Sequence, residues 1–351
     1  MNLVKRSIEI IHQGQSETGA YLASPTFNTY RYSWFRDGSF IAHAMDTVSE
    51  HASAVRFHKW VASTLVQKQD LMRCAVQTVK AGRSLEPTEV LHTRYTVDGH
   101  AANEDWPNHQ LDGFGTWLWA LAEHKLRFGG RLPDGSETTI HLLADYLQAL
   151  WQQPCYDCWE EFPDQLHPHT LSAVYAGLQA AQQLTGISYS CTLDQIRSLV
   201  NGQAAPQGYF IKFLGSPLVD ASLMGLALPY QLIPLDDPRM QATIARIETD
   251  LLHNGGVQRY SQDTYYGGGE WVLLSAWLGW LYVSSGQHDK AHAIRSWIES
   301  TADDIGQLPE QVPQFLNDKT QYQPWVERWG EIARPLLWSH AMYLILVDAL
   351  D

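Results

Sequence analysis

Apolar residues recur at three- and four-residue intervals along most of the chain, the period of an amphipathic α-helix rather than of a strand. The pattern predicts twelve helical segments, roughly 2–13, 38–49, 52–82, 110–127, 139–152, 169–185, 191–202, 219–231, 238–253, 270–284, 288–301 and 335–350. Boundary signals support several of them. Asp237 followed by Pro238 reads as a cap with proline in the first turn, and Gly186 and Gly286 follow periodic runs.

Two kinds of helix alternate. Segment 288–301 places Ala291, Ile294, Trp297 and Ile298 on one stripe with charges elsewhere, whereas 219–231 and 270–284 are apolar around most of their circumference. A helix apolar on all sides must be covered on all sides, so the alternation predicts an inner ring of helices shielded by an outer ring. Between the helices lie stretches rich in Gly, Pro, Asn, Tyr and Trp at 14–37, 84–109, 154–168, 203–218, 255–269 and 302–334. They recur after about every second helix, which in a ring of helical hairpins gathers them at one end. No Ser/Gly linker, charge block, low-complexity run or visible repeat divides the chain, so one domain over 1–351 with an annular core is expected.

Composition narrows the function. With 45% hydrophobic and 18% charged residues the chain is neither disordered nor fibrous, and a formal charge of -14 argues against a nucleic-acid partner. Cys74, Cys155, Cys158 and Cys191 are too sparse for a disulfide-built scaffold. The N-terminal stretch lacks the apolar run of a signal peptide, and WVLLSAWLGWLYV at 271–283 stops short of the roughly 20 apolar residues that cross a bilayer. A soluble, cytoplasmic protein without a membrane partner is expected.

Chemistry concentrates in five loop segments: YRYSWFRDGSF at 30–40, EDWPNHQLDG at 104–113, YDCWEEFPDQLHPHT at 156–170, GGVQRYSQDTYYGGGEW at 255–271 and GQLPEQ at 306–311. Aromatics beside carboxylates and arginines suit a neutral polyhydroxylated ligand, because ring faces cover the CH faces of a sugar while charged groups hold its hydroxyls. Any one of these aromatics could equally plug the end of a helical core; five such segments in five loops favour the ligand. Asp157, Glu160 and Glu161 form a tight acidic cluster. On helical geometry Asp157 shares a face with both glutamates while the glutamates diverge by about 100°, so one of them points at a reacting atom. Like-charge crowding and the neighbouring Trp159 raise a carboxyl pKa, as a general acid near neutral pH requires; a solvated acidic helix start is the alternative.

Cys155, Cys158, His167 and His169 leave a mixed metal site formally open, although no second Cys/His pair of the usual spacing follows. There is no Walker A sequence, no G-x-G-x-x-G fingerprint and no G-x-S-x-G elbow. No metal or nucleotide cofactor is expected.

In this order the five segments resemble those of the glucoamylase family, glycoside hydrolase family 15, from GQSETGAYLASP near the N-terminus to WSHAMYLILV at 338–347. The resemblance implies an all-α (α/α)6 barrel and an inverting hydrolase that releases glucose from the non-reducing ends of α-glucans or α-gluco-oligosaccharides. It implies Glu160 as general acid and Glu310 as general base. Trp34 would pack against the innermost sugar, Arg36 and Asp37 grip its terminal hydroxyls, Tyr30 stand near the catalytic water, and Trp106 arch over the acid. Glu161 would contact the next sugar with Asp157 behind it; Arg259 and Asp263 would bind and orient, Tyr265 line the pocket, and Trp271 cap its wall. Glu270 departs from the Asn or Pro more usual before that tryptophan. The reading expects neither an N-terminal β-sandwich nor a starch-binding module, and leaves a partner subunit or homo-oligomer to brace the loops. Linkage stays open among α-1,4, α-1,6 and trehalose. Two rival functions remain: a non-catalytic carbohydrate-sensing or scaffolding barrel, and an epimerase using His167 and His169.

Overall fold

The computed structural model describes residues 2–102, 106–129 and 132–351. Thirteen α-helices occur among them: α1 (Leu3–Gly14), α2 (Phe35–Thr47), α3 (His51–Val66), α4 (Gln69–Lys80), α5 (Asp112–Phe128), α6 (Ser136–Leu150), α7 (Pro168–Thr185), α8 (Ser190–Gln203), α9 (Pro238–Asp250), α10 (Val272–Ser284), α11 (His288–Thr301), α12 (Tyr322–Trp329) and α13 (Leu337–Leu350). Helices α2, α5 and α7, a 3-10 turn at Ala221–Leu226, then α10 and α13 pack each against the next, and α13 returns to α2. This closed inner ring is covered by α1, α3, α6, α8, α9 and α11. The two rings match the alternation of helix types and form the (α/α)6 barrel that the family resemblance implies. No helix among the described residues is long and apolar enough to cross a membrane.

Burial follows the patterning. Helix α13 is buried without interruption from Leu337 to Val347, whereas outer α11 buries only Ala291, Ile294 and Ile298. Where α5 meets α7 the backbones touch: a Cβ on Gly177 would lie 2.6 Å from the Gly115 Cα. Only glycine permits that approach.

The structure corrects three sequence expectations. Segment 52–82 is two helices, because the polar Gln67 and Lys68 allow a break that turns Met72 and Ala75 of α4 into the core near α6. Segment 219–231 is a 3-10 turn with further turns rather than an α-helix. Pro229 removes a backbone donor and disfavours helical geometry at Leu228, and Gly225 packs so closely that a Cβ would meet His169 Nδ1 at 2.9 Å. Finally, the loop expected over 302–334 contains α12.

Short strands tie the loops together at the pocket end. Strand β1 (Ser33–Trp34) pairs with β2 (Arg94–Tyr95). Strands β3 (Leu252–His253), β4 (Gly256–Val257), β5 (Glu270–Trp271) and β6 (Gln311–Val312) form a four-stranded antiparallel sheet in that order. Its last register sets Trp271 opposite Gln311 and Glu270 opposite Val312.

Candidate active site

The loops that lead into the inner helices enclose a cavity of about 320 Å³, at the small end of ligand pockets. Eleven of the residues expected at the site line it: Tyr30, Trp34, Arg36, Asp37, Trp106, Glu160, Glu161, Arg259, Tyr265, Trp271 and Glu310. Asp157 and Asp263 lie behind this wall and hold residues that form it. Glu104 and Asp105, from the second segment, lie outside the described residues.

Glu160 and Glu161 sit in a tight turn, not on a helix. Asp157 shapes it: one carboxylate oxygen accepts from the backbone N–H of Trp159 and of Glu161, each at 2.9 Å. Glu160 consequently takes a left-handed φ of 68°, uncommon for a residue with a side chain and frequent at functional sites. The other Asp157 oxygen lies 2.8 Å from Lys212 Nζ, which also reaches Asp220 at 2.7 Å; all three side chains are buried. Trp159 Nε1 donates to Asp220 at 3.1 Å, so the whole acidic turn is fastened to one buried cation.

Within the cavity Glu160 is half-buried and accepts from Trp34 Nε1 at 2.7 Å. Trp106 Nε1 has no hydrogen-bond partner and faces the same carboxyl; Arg94 lies 3.8 Å from the Trp106 ring centroid. Burial raises the Glu160 pKa, and Arg36 opposes the rise. Glu161 accepts from Tyr260 Oη at 2.6 Å and lies 3.3 Å from Arg259 Nη2. Burial pushes its pKa up against the charges of Arg259 and Lys212.

Glu310 is held differently. Its backbone N–H donates to Ala333 O at 2.9 Å and its carbonyl accepts from Val272 N–H at 3.2 Å, so backbone hydrogen bonds fix where the side chain emerges. Glu310 is only 2% exposed and its Oε2 has no hydrogen-bond partner. Burial pushes its pKa up to about 8, with the nearby Tyr30 hydroxyl pulling it back. Tyr30 is itself set by a 2.7 Å hydrogen bond between its hydroxyl and that of Tyr265.

The floor carries the opposite charge. Arg36 Nη1 donates to Gln110 at 2.8 Å and to Asp112 at 3.2 Å; burial works against its charge, and the Asp112 and Asp37 carboxylates outweigh it and hold the guanidinium charged. Its Nε and Asp37 Oδ2 have no hydrogen-bond partner, which leaves a donor and an acceptor 3.4 Å apart. Arg259 is buried among the rings of Trp159, Tyr260, Tyr265 and Trp271 and chelated by Asp263, with Nε to Oδ2 at 2.7 Å.

Sequence reasoning missed the outer rim. Trp325, Arg328 and Trp329 of α12 line the cavity, with Trp325 against Tyr265 at 4.9 Å and Trp329 against Trp106 at 5.3 Å between ring centroids. The spacing W-x-x-R-W was a usable signal, since it sets all three on one helical face. Trp338, from α13, also lines the cavity. The open metal reading does not gather a site: His167 bonds the carbonyls of Cys155 and Phe162, and His169 bonds that of Ser222. Both are loop braces, which also removes the basis for an epimerase.

Comparison with known proteins agrees with this geometry. Residues 1–348 match the model of the glycosyl hydrolases family 15. Isomaltose glucohydrolase of Kribbella flavida is 41% identical across 99% of this chain and 92% of its own length. An uncharacterized glycosyl hydrolase of Methanocaldococcus jannaschii is 28% identical across 99% of this chain, which spans 55% of that protein. A glycosidase variant solved in complex with glucose is 40% identical and superposes with a TM-score of 0.95, covering 99% of this chain and 96% of that one. The chain belongs to glycosyl hydrolase family 15 and is a catalytic glycosidase, which sets aside the binding-only barrel.

Proposed function

We propose that this family 15 glycosidase is an inverting exo-hydrolase of short α-1,6-linked gluco-oligosaccharides such as isomaltose, with Glu160 as general acid and Glu310 as general base. The observation that carries the reading is the convergence of these two carboxyls, from loops about 150 positions apart in sequence, on one small cavity with a charged floor. A terminal glucose entering it meets the Arg36–Asp37 ion pair, whose Nε and Oδ2 have no hydrogen-bond partner. Exo action follows from a pocket floored by Arg36, Asp37 and Trp338.

Glu160 gives its proton to the glycosidic oxygen as the bond to C1 breaks, and Glu310 takes a proton from the water attacking C1 from the opposite face. The two carboxyls suit these tasks. Burial keeps Glu160 protonated to higher pH than an exposed glutamate, and Trp34 fixes its orientation. The unpartnered Oε2 of Glu310 is the atom that meets the attacking water, and a hydrogen bond there favours the charged form and draws the pKa down. Arg36 and Arg259 bind and orient the sugar and the Glu161 carboxylate.

The α-1,6 preference and the short substrate rest on the similarity to the Kribbella isomaltose glucohydrolase and on the aromatic rim of α12, which narrows the outer pocket. We take 1–351 as one catalytic barrel. The same reading places the enzyme in the cytoplasm, where Cys155 and Cys158 stay free thiols beside the acid turn. Hydrolysis of isomaltose, panose, dextran, maltose and trehalose tests the specificity. Isomaltose is expected to have the highest kcat/KM; a higher value for maltose or trehalose would overturn the linkage assignment.

A further inference from the structure

Where α2 ends, away from the pocket, Asp46 meets His58 of α3 and His124 of α5; all three are buried, and one donor atom from each lies within 4.8 Å of the others. Asp37 in the pocket and Asp46 share one helix, which separates them by about 14 Å along its axis. The cluster is therefore remote from the reacting sugar.

Hydrogen bonding accounts for part of it. His124 Nδ1 lies 2.8 Å from one Asp46 oxygen and His51 Nδ1 lies 3.3 Å from the other. His58 is the exception: it is wholly buried, and neither Nδ1 nor Nε2 has a hydrogen-bond partner. Burying two ring nitrogens unsatisfied is unfavourable and rare in native proteins. Its ring centroid lies 5.4 Å from that of His124, and one of its nitrogens lies within 4.8 Å of a donor atom of both His124 and Asp46. A neutral imidazole carries a lone pair on one of its two nitrogens.

We infer that Asp46, His58 and His124 form a structural site for a divalent transition-metal ion of the Zn²⁺ type, which ties α2, α3 and α5 together away from the sugar pocket. Two imidazoles with one carboxylate are the donor set such an ion takes, whereas Ca²⁺ and Mg²⁺ require oxygen ligands. One carboxylate offsets part of the ion's charge in a buried setting. His51 steadies that carboxylate from outside, as partners of metal-binding carboxylates do, and its 38% exposed side chain marks the path from solvent. A hydrogen-bonded cluster alone explains His51 and His124 and leaves His58 unexplained. An ion bound only by the folded chain stabilises it by mass action, so the site acts on stability rather than on chemistry.

The full chain is stripped with chelator, dialysed and titrated with Zn²⁺ by calorimetry. Bound metal is then counted after gel filtration, and the visible spectrum of the Co²⁺ form is recorded. About one ion per chain, a tetrahedral Co²⁺ spectrum and a Tm raised by several degrees in excess Zn²⁺ are expected, with kcat on isomaltose changed less than about twofold. His58→Leu and Asp46→Asn should each abolish the stoichiometric binding and the Tm response. If His58→Leu does not fold, the near-isosteric Asp46→Asn decides. Less than about 0.2 ion per chain in the wild type would overturn the site. Unchanged stoichiometry in the variants would also overturn it, by placing the ion on surface histidines.

Discussion

The two carboxyls proposed to act on the substrate are held in opposite ways. Glu160 sits in a strained turn with left-handed backbone, fastened through Asp157 to the buried Lys212. Glu310 emerges next to the paired strand β6, positioned by backbone hydrogen bonds, with the Tyr30 hydroxyl beside its carboxyl. The acid receives a hydrogen bond from Trp34, while Oε2 of the base receives none from the protein. A group that must give up a proton to a leaving oxygen needs aim; a group that must collect one from water needs a free lone pair in a fixed place. The proposed division of roles matches how each side is built.

Exchanging the carboxyls themselves breaks this comparison most severely. Glu310→Gln is expected to lower kcat about 10²- to 10⁴-fold for every substrate, because water activation is common to all of them. Glu160→Gln should cost as much on isomaltose and far less on a glucoside with a good leaving group, which needs little protonation. Equal losses from Glu160→Gln across leaving groups, read in steady-state rates, would deny Glu160 the acid role.

Removing the fastening of the acid side comes next. Lys212→Met leaves Asp157 and Asp220 as buried, uncompensated charges and should lower unfolding free energy by about 3–5 kcal/mol in a urea titration, with kcat reduced more than KM is changed. A loss under about 1 kcal/mol would show that the turn does not depend on this cation.

The rim sharpens the comparison from outside. Trp329→Ala removes the ring packed on Trp106 and should raise KM for isomaltose about 3- to 10-fold at nearly constant kcat, the worth of one aromatic contact. An unchanged KM would place the second sugar elsewhere.

The smallest effect reads the base side through stability. Burial holds the Glu310 pKa at about 8, so between the ordinary carboxylate range and pH 8 the folded chain keeps a proton that the unfolded chain has lost. Its stabilising contribution is full below the unfolded value and is lost as pH rises through 8. The buried His43, His58 and His340, lowered to about 3, act in the opposite direction but are neutral in both states above about pH 7. Between pH 7 and 8.5 the wild type should therefore lose Tm by about 2 °C more than Glu310→Gln. Equal slopes would mean that Glu310 is ionised throughout.

Much of this was legible in the sequence. Helices apolar on all faces revealed the inner ring, and the five loop segments together contain both carboxyls and most of the aromatics that line the cavity. What escaped depended on tertiary contacts or on local breakers. An apolar count read 219–231 as a helix because it does not weigh Pro229 against the neighbouring leucines. Helix α12 is short, and its Trp325 and Trp329 face a cavity rather than the core, so periodicity did not register it. Lys212, a lone cation in the 203–218 loop, resembles a solvated charge until folding brings Asp157 and Asp220 to it. Asp263 was read as a ligand-binding group, yet it lies behind Arg259.

The anomer first released tests the opposed acid and base most directly. Acid and base acting on opposite faces of the sugar, with a water between base and C1, enforce a single displacement. Proton NMR of isomaltose hydrolysis, recorded before mutarotation, should show β-glucose appearing first and the α-anomer only as it equilibrates. Initial release of α-glucose would mean a covalent intermediate on one carboxylate, and would contradict the roles assigned to Glu160 and Glu310.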